Sequence, residues 1–251
     1  MADRFIGTSW KMNLTSTQAA EYCGRLLPLV EDVTDRRLFV LPPFTAIWAV
    51  RQKLAGTQIA WGAQHVHPEE SGAHTGDVSA PMLADLGCSY VEVGHSERRR
   101  DYGETDALVT AQVAAIQRHG MTAIVCVGER ERAEIGPVME GIGRQLSALS
   151  GADRSRLIVA YEPVWAIGAG ARAADPEWIG WVHQAIEAWF RSSRAGSEAD
   201  VPIIYGGSVD GASAPAILAQ PGVSGLFVGR SALDPEEFAR IAHLNPVSAG
   251  R

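Results

Sequence analysis

Short apolar runs of strand length recur along the chain, and polar residues gather at their C-terminal ends. The runs are RFIGTS, LFVLP, QIAWGAQ, YVEVGH, AIVCVGE, LIVAYEP, PIIYGGS and GLFVGR. Most are continuously apolar rather than alternating, the mark of strands covered on both faces. The stretches between them follow helical spacing. In ETDALVTAQVAAIQRHG, Val109, Val113 and Ile116 share one face and Gly120 supplies a stop. In DPEWIGWVHQAIEAWF, Asp175 is the expected N-cap, Pro176 the first helical residue and Glu177 an acid in the first turn. Strands alternating with helices predict a parallel sheet, and eight such units in 251 residues predict a closed (β/α)8 barrel, one α/β domain over 1–251. An open doubly wound sheet is the competing arrangement, but no strand is followed by G-x-G-x-x-G. The stretch RSSRAGSEAD reads as a polar loop too short to separate two domains.

Composition narrows the partners. A formal charge of -7 argues against a general nucleic-acid or anionic-membrane surface, although backbone N–H groups and a few cations can still hold an anion locally. Cys23, Cys88 and Cys126 are odd in number and widely spaced. That pattern argues against a disulfide framework or a zinc site and for a reducing cytoplasm. The opening MADRFIGTSWKMN has no long apolar core, so no signal peptide is expected. No apolar run approaches the ~20 residues of a membrane span.

In such a barrel the active site lies at the C-terminal strand ends. There the first run leads through Ser9 and Trp10 to Lys11, and the third to Gln64 and His65. The fourth leads to His95, Ser96 and Glu97, and the sixth to Glu162. The seventh leads to Gly206, Gly207 and Ser208, and the eighth to Gly229 and Arg230. Singly, Lys11 reads as a solvated lysine, His95 as a satisfied polar residue and Glu162 as an ion-pair anchor. Together on one rim they form a base, an electrophile and a cation. The glycine turns after the last two strands stand where such barrels often hold phosphate, because glycine lets N–H groups approach an anion closely. Tight-turn glycines with no ligand are the plainer reading.

The stretches WKMN, AQHVHPEESGAHTGDVSAPML, VGHSERR, CVGE, YEPVWAIGAG and YGGSV, in this order, resemble triosephosphate isomerase over nearly the whole chain. The resemblance implies a TIM barrel in which Glu162 is the base that moves a proton between adjacent carbons. It implies that His95 is the neutral electrophile and Lys11 the supporting cation, with Glu97 a carboxylate beside Lys11. Triosephosphate isomerase is itself a standard example of a carboxylate base paired with a neutral histidine. Gly168, Gly207, Ser208, Gly229 and the amide of Arg230 become the phosphate grip, and PVWAIGAG the closing loop, hinged between Pro163 and the glycines. The chemistry requires neither a metal ion nor an organic cofactor. The resemblance further implies a homodimer in the cytoplasm, with Thr75 and Gly76 near the tip of a loop that enters the partner.

Four positions depart from the family pattern. Ser9 and His65 stand where the family has asparagine, Arg230 where it has a second glycine, and Ala169 where it usually has threonine. Ser9 and Arg230 flank the substrate. Together with GTSWKMN and VGRSA they resemble the branch that acts on tetrulose phosphates. The preferred reading is therefore a small phosphorylated sugar isomerase converting L-erythrulose 1-phosphate to D-erythrulose 4-phosphate. The alternative is the triosephosphate isomerase reaction of dihydroxyacetone phosphate and D-glyceraldehyde 3-phosphate. A non-catalytic phosphate-sugar binder on the same fold is the third, disfavoured because a binder needs no base.

Overall fold

A computed structural model describes residues 4–168, 170–193 and 199–246. Eight parallel strands close into a barrel in sequence order: β1 (Arg4–Ser9), β2 (Arg36–Leu41), β3 (Ile59–Ala63), β4 (Tyr90–Val93), β5 (Thr122–Val127), β6 (Leu157–Tyr161), β7 (Ile203–Tyr205) and β8 (Gly225–Val228). Closure is made by β1 against β8, with Phe5 opposite Gly225 and Thr8 opposite Val228. Each predicted run coincides with one strand, the fifth of which begins one residue earlier, at Thr122. The second begins two residues earlier than its apolar part, at Arg36.

Helices α1 (Ser16–Leu26), α2 (Ile47–Leu54), α3 (Ala80–Asp85), α4 (Ser96–Asp101), α5 (Asp106–Arg118), α6 (Ile135–Ser147), α7 (Pro176–Ser192), α8 (Ala214–Leu218) and α9 (Pro235–His243) connect or follow the strands. Their ends follow local chemistry. Asp175 caps α7 by accepting from the Glu177 N–H at 2.9 Å, with Pro176 as the first helical residue. On α5, Val109, Val113 and Ile116 are buried, and Gly120 follows with φ +76°.

The alternation of strand residues divides the core in two. One set, including Ile6, Val40, Val91, Val125 and Val159, packs outward against the helices. The other points into the barrel: Phe5, Phe39, Leu41, Tyr90, Ile124, Cys126, Ile158, Ala160, Ile204 and Phe227. Phe39 anchors it, with its ring 4.9 Å from Tyr90 and 5.8 Å from Phe227. The barrel is thus filled, and open space remains at its C-terminal mouth. Cys23, Cys88 and Cys126 are buried free thiols. Among the described residues no helix is long and apolar enough to cross a membrane.

Candidate active site

The mouth of the barrel holds a cavity of about 1110 Å³, lined by residues of β1, β4 and β8 and of the segments that follow β1, β4, β6, β7 and β8. Ser9, Lys11, His95, Glu97, Glu162, Gly168, Gly207, Ser208, Gly229 and Arg230 all line it. The residues singled out in the sequence therefore meet in one space. Glu92 lines it as well and was not among them.

Glu162 follows β6 directly, its N–H held by the Val127 carbonyl at 2.8 Å. Its carboxylate reaches the cavity because Gly206 leaves room: a Cβ there would sit 2.8 Å from the Glu162 Cγ. Glu162 is 3% exposed, and its Oε2 has no hydrogen-bond partner among the described residues. Burial, and then the like charge of Glu92, push its carboxyl well above the ordinary range. A carboxylate stripped of donors and water is a stronger base than one in solvent.

His95 is the N-cap of α4, and its Nδ1 accepts from the Glu97 N–H at 3.1 Å. A neutral ring accepting at Nδ1 carries its proton on Nε2. That Nε2 lies 3.6 Å from Oε2 of Glu162. Burial, and then the charge of Lys11, hold the imidazole well below its ordinary pKa. His95 is thus held neutral, with its Nε2–H toward the Glu162 carboxylate.

Lys11 sits just beyond β1 in left-handed backbone, φ 53°. The side chain of Gln64 supports that unusual conformation by donating to the Lys11 carbonyl at 3.1 Å and to the Leu41 carbonyl at 2.9 Å. Asn13 adds a bond to the Trp10 carbonyl at 2.7 Å. The Lys11 ammonium meets Oε1 of Glu97 at 2.7 Å. Burial would raise the Glu97 carboxyl, but the hydrogen bond and charge of Lys11 outweigh it and leave it below the ordinary range.

The segment after Glu162 is tied at both ends. Trp165 donates to Glu129 at 2.8 Å, and Glu129 also accepts from the Tyr161 hydroxyl at 3.0 Å. Further along, the Ala174 N–H donates to the Tyr205 hydroxyl at 2.9 Å. Between these anchors Gly168 adopts φ +122°, a conformation that side-chain-bearing residues avoid. Ala169 lies outside the described residues.

Ser208 differs from expectation. Its hydroxyl donates to the Ala166 carbonyl at 2.8 Å, and its N–H donates to the same oxygen at 3.1 Å. Here it fastens the loop rather than pointing free at the cavity. Gly229 precedes the short turn of helix Arg230–Leu233, whose Ala232 N–H returns to the Gly229 carbonyl at 3.0 Å. His65 is absent from the cavity wall. Its Nδ1 lies 3.3 Å from Glu104 and its Nε2 3.2 Å from Arg98, which fits a neutral ring donating to the carboxylate and accepting from the guanidinium. Burial, and then Arg98, push His65 down to about 4.

Glu92 is the residue the sequence reading passed over. It is 2% exposed, and Ser9 Oγ donates to its Oε2 at 2.6 Å. Burial pushes its carboxyl upward, and the Ser9 hydrogen bond opposes that only in part. Ligand-type atoms of Glu92, His95 and Glu162 all fall within 4.8 Å of one another. Its signal was present: a lone carboxylate between Val91 and Val93 in a buried strand, the same anomaly that marks Glu162.

A filled eight-stranded barrel with a buried carboxylate, a neutral histidine and a lysine at its C-terminal mouth is a TIM barrel with candidate acid–base groups where such barrels carry their active sites. Comparison with known proteins narrows the class. The family model for triosephosphate isomerase matches residues 4–245. A triosephosphate isomerase of Synechococcus sp. (strain JA-2-3B'a(2-13)) is 41% identical over 97% of each chain. The L-erythrulose-1-phosphate isomerase of Mesorhizobium japonicum is 40% identical over 94% of this chain and 95% of its own. The crystal structure of triosephosphate isomerase from Bartonella henselae superposes with a TM-score of 0.83 at 36% identity, covering 95% of this chain and 97% of that one. The chain belongs to the triosephosphate isomerase family, a family of isomerases.

Proposed function

We propose that this chain isomerises a short phosphorylated ketose by moving a proton between neighbouring carbons. Glu162 takes the proton from the carbon beside the carbonyl, and the electron pair left behind delocalises onto the carbonyl oxygen. His95, with its proton on Nε2, donates to that oxygen, and Lys11 stabilises the negative charge that develops there. His95 passes its Nε2 proton to that oxygen and recovers one from the hydroxyl on the neighbouring carbon, so the carbonyl shifts by one position, and Glu162 returns its proton to the former carbonyl carbon. Glu97 holds Lys11 in place at 2.7 Å. Gly168, Gly207, Gly229 and the Arg230 amide hold the phosphate, and the segment after Pro163 closes to exclude water. The single observation that carries this reading is the partnerless Glu162 Oε2 facing His95 Nε2 at 3.6 Å inside the cavity.

Two substrates fit this chemistry. The triose phosphate is better backed by relatives, since proteins 41% and 40% identical to this chain bear the name triosephosphate isomerase. That order reverses the preference drawn from Ser9 and Arg230. The tetrulose phosphate remains the second reading because Ser9 is paired with Glu92 on the cavity wall and Arg230 lines it. We further propose a homodimer in the cytoplasm. Dihydroxyacetone phosphate and L-erythrulose 1-phosphate, each incubated with the protein in D2O and followed by NMR, test the reading. Isomer formation with deuterium uptake at the reacting carbon is expected. If both ketoses keep their hydrogens, the protein is a binder and the proposal fails.

A further inference from the structure

Glu92 transfers no proton in the reaction proposed above, yet it occupies an expensive position. A buried carboxylate costs several kcal/mol unless donors surround it. Among the described residues the donors to its two oxygens are the Ser9 hydroxyl at 2.6 Å and the weak thiol donor of Cys126 at 3.7 Å. Two carboxylate oxygens offer about four acceptor positions. Its neighbour Glu162 carries like charge, and the Lys11 ammonium, which favours the charged form, does not undo the effect of burial. On the barrel-interior side lie apolar residues, with Tyr90, Ile124, Ile158 and Phe227 in one cluster. An apolar side chain would pack there at no such cost. What distinguishes Glu92 from the rest of that cluster, apart from Phe227, is that it lines the cavity.

The position fixes what it can meet. The turns expected to hold phosphate follow β7 and β8, and the reacting carbons lie between His95 and Glu162. Ser9 and Glu92 come from β1 and β4, at the end of β1 and within β4. A ligand gripped by its phosphate at those turns and reacting between His95 and Glu162 would have its far end in the part of the cavity that Ser9 and Glu92 line. We propose that Glu92, oriented by Ser9, is a specificity-determining residue that accepts a hydrogen bond from a further hydroxyl at the end of the substrate remote from its phosphate. The ligand class is a four-carbon phosphorylated polyhydroxy ketose, one hydroxymethyl longer than a triose phosphate. This rests on the isomerase reading above and, on the Ser9–Glu92 geometry, takes its second substrate rather than its first. A site built to bind a hydroxyl rejects an analogue lacking it far more strongly than added room alone accounts for.

Binding without turnover separates this inference from the catalytic reading. Glycerol 3-phosphate and erythritol 4-phosphate lack the carbonyl and differ by one hydroxylated carbon. Calorimetric titration of the full chain should give at least tenfold tighter binding of the four-carbon probe. In Glu92→Leu that preference should collapse to less than threefold, and in Glu92→Gln, which keeps one acceptor oxygen, it should fall to an intermediate value. Replacing a buried charge by an apolar side chain of similar volume is often neutral or stabilising, and the Gln variant keeps the test open if the Leu variant does not fold. Equal affinities of the wild type for the two probes would overturn the proposal. So would a preference that survives in both variants, or a loss of equal size for both probes. Failure of the isomerase reading shows separately, as absent deuterium uptake on either ketose.

Discussion

His95 Nε2 stands 3.6 Å from Glu162 Oε2, with neither atom satisfied by the other. The gap is too long for a hydrogen bond and leaves each atom available to a third party. The Glu97 N–H on Nδ1 fixes which histidine nitrogen carries the proton. Gly206 fixes where the carboxylate lies. Imidazole and carboxylate are thus positioned by backbone features, as the proposed base and electrophile require.

Shortening Glu162 to aspartate tests that positioning directly. The variant should bind phosphorylated ligands normally while its carboxylate withdraws by about one methylene. A misplacement near 1 Å is worth about 100-fold in rate. Steady-state kinetics on the preferred ketose should show kcat down by about that factor with KM little changed. Turnover near the wild-type value would remove Glu162 from the role of base.

Glu92 raises the proton affinity of Glu162 through its like charge, after the larger effect of burial. A protonated Glu162 cannot accept a proton, so activity falls as pH drops through its pKa. Glu92→Gln removes the charge and keeps the shape. The acid limb of the kcat/KM profile, which reports the free enzyme, should therefore move to lower pH in this variant. His95, Lys11, Glu97 and Cys126 also face the pair and are unchanged by the substitution. An acid limb that stays in place would mean that the two carboxylates do not communicate.

The barrel was legible because its strands are covered on both faces and so read as unbroken apolar runs. Glu162, His95 and Lys11 were legible because each interrupts that pattern at a strand end. Glu92 breaks the same pattern inside a strand, between Val91 and Val93, and passed as part of the run. The Ser208 contact was not legible, because its partner is the backbone oxygen of Ala166, 42 positions away. Gln64 was visible at a strand end. Its task, holding the left-handed backbone of Lys11, depends on a φ angle that no composition rule gives for lysine.

Ser208→Ala separates a phosphate donor from a loop fastener. The hydroxyl bond to Ala166 would be lost while the Ser208 N–H bond to the same carbonyl remains. A typical hydrogen bond is worth about 1 kcal/mol net, so kcat/KM should fall roughly fivefold. Hydrogen exchange at residues 164–168 should quicken, and inhibition by inorganic phosphate should change by less than about threefold. A tenfold weaker phosphate, with exchange unchanged, would return the hydroxyl to the phosphate grip.

The segment from His67 to Ser79 is closed at its base and exposed at its tip. The His67 N–H donates to the Val78 carbonyl at 2.8 Å, and the His67 and His74 rings stack at 4.0 Å. Thr75 and Gly76 are exposed, and a Cβ at Gly76 would meet nothing within 4 Å. Such a shaped projection suits insertion into an isologous partner. Sedimentation at micromolar concentration should give a dimer, and Thr75→Arg should shift it toward monomer with loss of activity. A wild-type monomer with full activity would refute the dimer.

His183 supplies a pH prediction away from the active site. It is fully buried on α7, and its Nδ1 lies 3.2 Å from the Gly222 carbonyl. Its Nε2 has no partner among the described residues. With Nδ1–H donating to Gly222, a second proton would have to enter apolar surroundings at Nε2. Burial accordingly pushes the ring down to about 4, against 6.5 for an unhindered histidine. Between those values the unfolded chain binds a proton at this position and the folded chain does not, so stability rises with pH across that window. Above pH 6.5 the residue costs nothing in linkage, and as pH falls toward 4 the wild type should lose up to about 3 kcal/mol through it. His183→Gln cannot titrate. Urea unfolding of both proteins at pH 7 and pH 4.5 isolates the term, since every other titrating group is common to them. The stability difference should move in favour of the glutamine variant by about 2–3 kcal/mol on acidification. A difference independent of pH would mean that His183 is protonated as readily in the folded barrel as in the unfolded chain.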